Sequence, residues 1–301
     1  MKVGIVLPLF SGDPGRVLDV AREAEDLGFD GAFVFDHFFP PGAPGDRPAL
    51  EAFTTLAAVI AATERITVGT LVTRASVRPV GLLAKTAAWL DAASGGRLVL
   101  GVGTGDPIDR PEHQAYGIPM LGRDDRRVQM EETVVALKAL FRGETYAGGA
   151  HVPPLEGPLA PMPAREGGPE IWLGAQAPTV IRMAARVADG WNGWGLDPVA
   201  FGEKAGLLFR EARSAGREVV ATWAGIVLAG RDPSEAAALV ERRRASGLDD
   251  AAWTGTTEEL AAHLKDLDRA GSAWAAIVPA GPADRRAVIA REVLPALRAP
   301  A

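Results

Sequence analysis

The stretch ITVGTLVTRASVRPVGLLAKTAAWLDAASGGRLVLGVGTGD, residues 66–106, contains a complete strand–helix–strand unit. Residues 66–72 form an apolar run rich in β-branched side chains, which predicts a buried strand. Residues 79–93 predict a helix that begins at a proline and ends before a Gly-Gly pair. Residues 97–102 predict the next strand. This order of elements is typical of a parallel βα unit.

The same alternation of apolar runs and amphipathic segments recurs about eight times along the chain. Eight such units predict an α/β fold, a (β/α)8 TIM barrel, with the active site at the carboxyl ends of the strands. Polar and glycine-rich residues follow several of these runs, where that site would lie. The predicted strands are residues 3–7, 31–35, 66–72, 97–102, 170–173, 190–192, 219–228 and 273–278.

Two segments exceed the usual connection of two to six residues and predict insertions after strand 4 and before strand 5. Residues 103–122 are polar and irregular, which is typical of a lid or binding loop on a rigid scaffold. Residues 142–169 are rich in glycine and proline. They predict an ordered surface excursion, with room for a small hairpin, rather than a linker between domains.

The amino-acid composition limits the classes to which the protein can belong. The 301 residues, 48% hydrophobic and 23% charged, suit one globular domain over residues 1–301. A net charge of −6 disfavours nucleic acid as a partner. The absence of cysteine excludes disulfides, zinc–thiolate sites and a catalytic thiol. Neither a cleavable signal nor an apolar run of about 20 residues is evident, so we expect a cytoplasmic protein without membrane contact.

An Asp-His pair, Asp36-His37, ends the second predicted strand, where barrel enzymes carry catalytic groups. A histidine there can hydrogen-bond a cofactor or move a proton near neutral pH. Because side chains alternate along a strand, we expect His37 to face the pocket and Asp36 to face away. The alternative is that Asp36 caps the following turn and His37 only packs.

Four segments together resemble the bacterial luciferase-like family of flavin- and deazaflavin-dependent oxidoreductases, and their order covers nearly the whole chain. The resemblance is greatest to the branch that uses coenzyme F-420, a 5-deazaflavin, because strand 2 ends in Asp-His-Phe. The segments are GFDGAFVFDHFF (28–39), the stretch from Thr63 to Gly105, EHQAYGIP (112–119) and PEIWLGAQAPTVIRMAARVADGWNGW (169–194).

The resemblance implies site residues on strands 3 and 4. In the family, a bulge with a non-proline cis peptide lies behind the cofactor ring, which corresponds here to Thr70 and the Leu71–Val72 bond. By sequence alone, an ordinary strand end is an equal alternative. The run after strand 4 would be a tight turn by itself, and it is not a dinucleotide fingerprint. The resemblance implies that Thr104, Gly105 and Asp106 are cofactor ligands.

Gly174, Ala175 and Gln176 join strand 5 to a helix whose amino terminus could bind the phosphate of coenzyme F-420 or FMN. The family often has Gly-Gly here, so Ala175 and Gln176 depart from its pattern, and a simple helix cap is the alternative. Trp191, and Trp194 after it, could wall a flat ring. Core packing is an equal alternative for each tryptophan.

The sequence thus predicts a coenzyme F-420-dependent oxidoreductase that transfers a hydride between the deazaflavin and a small organic substrate, with His37 and Asp36 as catalytic residues and no metal. The alternative is an FMN-dependent monooxygenase that uses reduced flavin and oxygen. A third hypothesis is a non-catalytic cofactor-binding protein. The resemblance also implies a homodimer.

Overall fold

The fold is a closed ring of parallel strands surrounded by helices. The computed structural model describes residues 1–41, 47–247 and 252–298. Within these ranges the strands are β1 (Lys2–Val6), β2 (Gly31–Val34), β3 (Thr67–Arg74), β4 (Leu98–Gly103), β5 (Glu170–Gly174), β6 (Gly190–Trp194), β7 (Val220–Gly230), β8 (Trp253–Thr256) and β9 (Ser272–Pro279).

The pairing of these strands closes the barrel. Successive strands pair in parallel from β1 to β7, β7 also pairs with β9, and β9 pairs with β1. The strand β8 stands outside this ring and pairs only with the last residues of β7 among the described strands. The predicted (β/α)8 TIM barrel is therefore confirmed, with β9 as its eighth ring strand.

The helices cover the ring, and several of them begin with both a proline and an aspartate cap. The carboxylates of Asp13, Asp197 and Asp232 each accept a backbone N–H of the first turn that follows, which satisfies donors that have no partner inside the helix. The helices are α1 (Pro14–Asp26), α2 (Ala52–Ala62), α3 (Val80–Ser94), α4 (Arg110–Ala115), α5 (Arg123–Phe141), α6 (Pro178–Val187), α7 (Pro198–Ser214), α8 (Pro233–Ala245), α9 (Thr257–Arg269), α10 (Arg285–Glu292) and α11 (Leu294–Arg298).

Two hydrophobic cores arise from the alternation of side chains along the strands. In β2, Ala32 and Val34 pack outward against the helices, whereas Phe33 points into the barrel. The barrel interior is filled by large rings, because the ring of Phe33 lies 5.8 Å from that of Trp172 and 5.7 Å from that of Trp274. This packing fills the lower barrel and leaves the carboxyl ends of the strands for a site.

Three elements differ from the sequence predictions. The short strand β8 was not predicted, because its four residues are partly exposed and pair only with the end of β7. The loop after β4, predicted as irregular, contains a 3-10 helix (Pro107–Asp109) and α4. The last predicted helix is divided into α10 and α11 at Val293, just before a proline at residue 295.

The excursion between α5 and β5 is held to the barrel by polar contacts. The carboxylate of Glu132 on α5 accepts three successive backbone N–H groups, those of residues 150–152. The backbone N–H of Arg165 donates to the buried carboxylate of Asp91. Tyr146 and Leu155 form an antiparallel bridge. The excursion is therefore ordered and contains the small hairpin for which the sequence left room.

In the described ranges, no helix combines the length and apolar character that a membrane span requires.

Candidate active site

The end of β2 directs successive side chains to opposite sides of the barrel wall. Phe35 packs on the interior cluster, and His37 continues that inward parity. The His37 ring is 21% exposed and has its centroid 6.4 Å from the rings of both Phe35 and Phe10. His37 therefore lies at the mouth of the barrel, as the strand alternation predicted.

Asp36 lies on the other side of this wall and is fully engaged. Its buried carboxylate accepts the Thr73 hydroxyl at 2.6 Å and forms a bidentate ion pair with the Arg78 guanidinium. The guanidinium also pairs with Glu51 at 2.5 Å and stacks on a phenylalanine ring of α2 at 4.4 Å. Asp36 thus faces away from the mouth, as the strand alternation predicted, and its carboxylate contacts Thr73 and Arg78. A catalytic role for Asp36 stays a prediction.

Glu112 is a site residue that the sequence analysis did not single out, although it opens the EHQAYGIP segment. Its carboxylate is 1% exposed and lies 2.7 Å from Nδ1 of His37. It also accepts the backbone N–H of Phe38 at 2.9 Å and Nη2 of Arg74 at 2.7 Å. Helix α4 is therefore attached to the ends of β2 and β3 through one side chain.

The charge of Glu112 is stabilised by these partners. Burial alone would raise the pKa of its carboxyl, but the hydrogen bonds from His37 and the Phe38 N–H, together with the nearby charges of His37 and Arg74, hold that pKa below its ordinary value. Glu112 is thus an acceptor-only carboxylate at neutral pH.

Asp109 adds a second buried carboxylate to this cluster. It lies 3.8 Å from Nδ1 of His37 and 3.9 Å from Nη1 of Arg74, and it accepts the Asp106 N–H at 2.7 Å. The ligand atoms of His37, Asp109 and Glu112 fall within 4.8 Å of one another, a spacing that a metal ion could use. The Arg74 guanidinium, however, already supplies the positive charge that faces both carboxylates.

A bulge in β3 forms the floor of the mouth beside His37. The pairing register with β4 shifts between Thr70 and Thr73, and the Leu71–Val72 peptide bond is cis, as the resemblance implied. Leu71 and Val72 pack with the interior cluster. Thr70 instead is fully buried on the outer side, where its hydroxyl donates to the Gly101 carbonyl at 2.8 Å. The hydroxyl of Thr70 is therefore directed away from the mouth, and a contact of Thr70 with a cofactor stays a prediction.

Three glycines on the neighbouring strands make room for the side chain of Val72. A Cβ atom would lie 2.9 Å from a Val72 methyl at Gly101, 2.6 Å at Gly103 and 2.9 Å at Gly174, all closer than real Cβ contacts. At Gly101 a Cβ would also clash with the backbone carbonyl of Thr70, so close packing against β3 requires glycine at both Gly101 and Gly103. Together these residues line the inner wall of the barrel between β3, β4 and β5.

The rim after β4 contains the other residues predicted there. Thr104 and Gly105 are half-buried, and Gly105 adopts a positive φ of 73°, which favours glycine. A side chain at Gly105 would approach Asp109 at 3.2 Å and Arg74 at 3.3 Å. Asp106 is exposed beyond them. These three residues lie at the edge of the site, and their contact with a cofactor stays a prediction.

The turn after β5 presents the amino terminus of α6. Ala177 is the N-cap residue, and no side chain in the described part of the chain caps this helix start. The side-chain amide of Gln176 donates to the Trp194 carbonyl at 2.7 Å, and the backbone carbonyl of Gln176 accepts Nζ of Lys204 at 3.0 Å. Gly174, Ala175 and Gln176 thus lead to a helix start at which Pro178 has no N–H, and the N–H groups of Val180 and Ile181 donate to the Ala177 carbonyl. The phosphate prediction would therefore have to be met by the N–H groups of Ala177 and Thr179.

Trp191 does not wall the mouth. It is 0% exposed, stacks on Phe201 of α7 and donates Nε1 to the Ala175 carbonyl at 2.5 Å. Its position on the outward parity of β6 is the physical reason, and it favours the core-packing alternative for Trp191. A contact of Trp191 with a cofactor stays a prediction. Trp194 has the inward parity, and its ring lies 5.8 Å from that of Phe35. Trp194 and Phe35 form an aromatic pair that packs on the interior cluster.

The barrel and this mouth define the class of protein, and the comparisons agree. The family model described as luciferase-like monooxygenase matches residues 1–290, and the chain belongs to that family. An F-420-dependent glucose-6-phosphate dehydrogenase of Microbacterium testaceum is 32% identical over 195 residues, which are 64% of this chain and 56% of the relative. The match thus spans little more than half of that relative's length.

Two solved structures share the fold over almost their whole length. One is an F-420-dependent secondary alcohol dehydrogenase in complex with an F-420-acetone adduct, with a TM-score of 0.85, 19% identity and 99% coverage of both chains. The other is a monooxygenase from Streptomyces bottropensis, with a TM-score of 0.78, 23% identity and 97% coverage of both chains. At these identities the likeness establishes the barrel fold.

Proposed function

We propose that the protein is a single-domain oxidoreductase that transfers a hydride between coenzyme F-420 and a small organic substrate. The observation that carries this proposal is the meeting, at one barrel mouth, of His37, the glycine-lined wall around Val72 and the start of α6, which no side chain in the described residues caps. The relative from Microbacterium testaceum and the structure with the acetone adduct are both named as F-420-dependent, which supports the choice of cofactor.

The residues present fit a deazaflavin. A planar ring needs a close-approach surface on one side, and the glycines beside Val72 leave such a surface. Phe35 and Trp194 provide apolar contact at the edge of the ring. The N–H groups of Ala177 and Thr179, at the positive end of α6, would hold the phosphate.

In this mechanism, the residues of the chain bind and orient the cofactor and the substrate, and they exchange the proton. The bound deazaflavin supplies or accepts the hydride. His37 exchanges the proton that accompanies hydride transfer, because it is the histidine whose ring stands at the mouth. The rings of Phe10 and Phe35 beside it reduce access of water to the reacting atoms.

A titration followed by fluorescence tests this function. Purified protein is titrated separately with oxidised coenzyme F-420 and with FMN. Micromolar binding of the deazaflavin with much weaker binding of FMN is the expected result. Tight binding of FMN would instead support the monooxygenase alternative, and binding of neither would support the non-catalytic hypothesis.

A homodimer and a cytoplasmic location are part of the proposal. Leu82 and Trp89 lie seven residues apart on α3 and are 57% and 50% exposed, so one helix face presents apolar surface that a second copy could cover. Light scattering on the wild type and on Trp89→Glu would test the dimer, and cell fractionation would test the location.

A further inference from the structure

We propose that Glu112 is a positioning residue that fixes the tautomer of His37, so that Nδ1 carries the ring hydrogen and Nε2 is the free basic atom. This proposal rests on the proposed function for its catalytic meaning, but its structural content can be measured without any cofactor. Glu112 touches no substrate in this scheme and acts through the imidazole.

The first step of the argument is the chemistry of the acceptor. An ionised carboxylate has no hydrogen to donate, and Oε1 of Glu112 lies 2.7 Å from Nδ1 of His37. The hydrogen in this contact must therefore belong to Nδ1. In a neutral imidazole, the other nitrogen then has a free lone pair. His37 is thereby prepared to accept a proton through Nε2.

The second step is the direction in which Glu112 is held. Its other oxygen, Oε2, accepts the N–H of Phe38 at 2.9 Å and Nη2 of Arg74 at 2.7 Å. Both donors belong to the ends of β2 and β3 rather than to α4, so they fix the carboxylate against the barrel. Oε1 is then directed at the imidazole.

The third step connects this arrangement to the lid segment. Glu112 lies on α4, and Tyr116 at the end of the same helix packs its ring 4.5 Å from that of Phe38. Arg74 lies 5.3 Å above the same Phe38 ring. His37 thus receives its orienting partner only when α4 is seated on the ends of β2 and β3.

The arrangement predicts that Glu112→Gln inverts the tautomer of His37. The Phe38 N–H and Arg74 require an acceptor, so they take the amide oxygen of the new side chain. The NH2 group is then presented to Nδ1 of His37. A donor there requires Nδ1 to be the unprotonated atom, so the tautomer inverts and Nε2 carries the hydrogen.

Nitrogen-15 NMR of the histidine rings tests this proposal on the full chain. The protein has four histidines, so selective labelling gives few signals, and His37→Gln assigns the one of interest. For the neutral ring, we expect Nδ1–H in the wild type and Nε2–H in Glu112→Gln. Asp109→Asn is the matched control, because Asp109 lies 3.8 Å from Nδ1 without a hydrogen bond to it, and the wild-type tautomer should persist.

The outcomes separate the two proposals. An Nε2–H tautomer in the wild type, or an unchanged tautomer in folded Glu112→Gln, would overturn the role of Glu112. If Glu112→Gln does not fold, the wild-type and Asp109→Asn spectra still test the proposal, because both should show the Nδ1–H tautomer. With bound cofactor, Glu112→Gln should lose most of the turnover rate at nearly unchanged cofactor affinity. Failure of the wild type to bind coenzyme F-420 would refute the proposed function and leave the tautomer result standing.

Discussion

The two sides of the barrel mouth are built in different ways. On the side of β2, β3 and α4, ionisable side chains hold one another in place. Each of four side chains has a nitrogen or oxygen atom within 3.9 Å of an oppositely charged partner in the set, which consists of His37, Arg74, Asp109 and Glu112. On the side of β5 and α6, the turn is neutral and more exposed, and α6 begins at an alanine N-cap. The first side suits proton chemistry, because its geometry is fixed in advance. The second suits binding of an anionic group by backbone N–H groups.

The largest effect should come from His37→Gln. Glutamine keeps a donor for Glu112 but cannot exchange a proton, so turnover should fall by about 10²–10⁴-fold. Cofactor affinity should change little, because the binding surfaces lie elsewhere. Single-turnover hydride transfer with a saturating substrate would measure this. His151→Gln, whose partner is Asp125, is the control and should keep full turnover. A His37→Gln enzyme with normal turnover would show that the charged side is not the catalytic one.

The next effect concerns the stability of the charged side. Arg74→Met leaves the carboxylate of Glu112 buried without its guanidinium partner, and both side chains are 3% exposed or less. The free energy of unfolding should fall by about 3–5 kcal/mol, measured by urea denaturation. Arg127→Met is the control, because it removes an i,i+3 pair with an almost fully exposed aspartate, worth about 0.5 kcal/mol or less. Equal losses would mean that burial does not distinguish the two pairs.

A smaller effect should appear at the floor that separates the two sides. Gly103→Ala places a Cβ about 2.6 Å from a Val72 methyl, and such overpacking costs about 1–3 kcal/mol of stability. It should also weaken cofactor binding, since Val72 must move into the mouth. Gly206→Ala in the interior of α7 should instead be neutral or stabilising by about 0.5–1 kcal/mol. Thermal denaturation and cofactor titration of both variants would compare them, and a stable, fully binding Gly103→Ala would contradict this account of the floor.

The smallest effect is expected on the neutral side. Thr179→Asp adds a negative charge in the first turn of α6, where it should stabilise the helix by about 0.3–1 kcal/mol. The same charge competes with a phosphate, so cofactor affinity should fall by roughly two- to fivefold, the same free energy expressed as a ratio. Ser234→Asp, at the equivalent position of α8, should stabilise without changing affinity. If both variants bind the cofactor as the wild type does, the phosphate lies elsewhere.

Much of this molecule followed from the order of residues alone. Apolar runs alternating with amphipathic segments predicted the ring, because each βα unit buries its strand only against neighbouring units. The Asp36-His37 pair at the end of β2 predicted the position of the mouth and the histidine that faces it, since the two-residue period of a strand fixes which side chain points inward. The same parity, applied to β6, would have favoured Trp194 over Trp191.

The partners of these residues were decided only by the tertiary structure. Glu112 lies 75 residues from His37 and Arg78 lies 42 residues from Asp36, and no local pattern indicates which charges meet across such distances. The role of Gly103 and Gly174 also became visible only when the β3 bulge placed Val72 against them. Local sequence sets the period and direction of a side chain. Which buried charge it neutralises, and which void it fills, depends on the packing of elements that are distant in the chain.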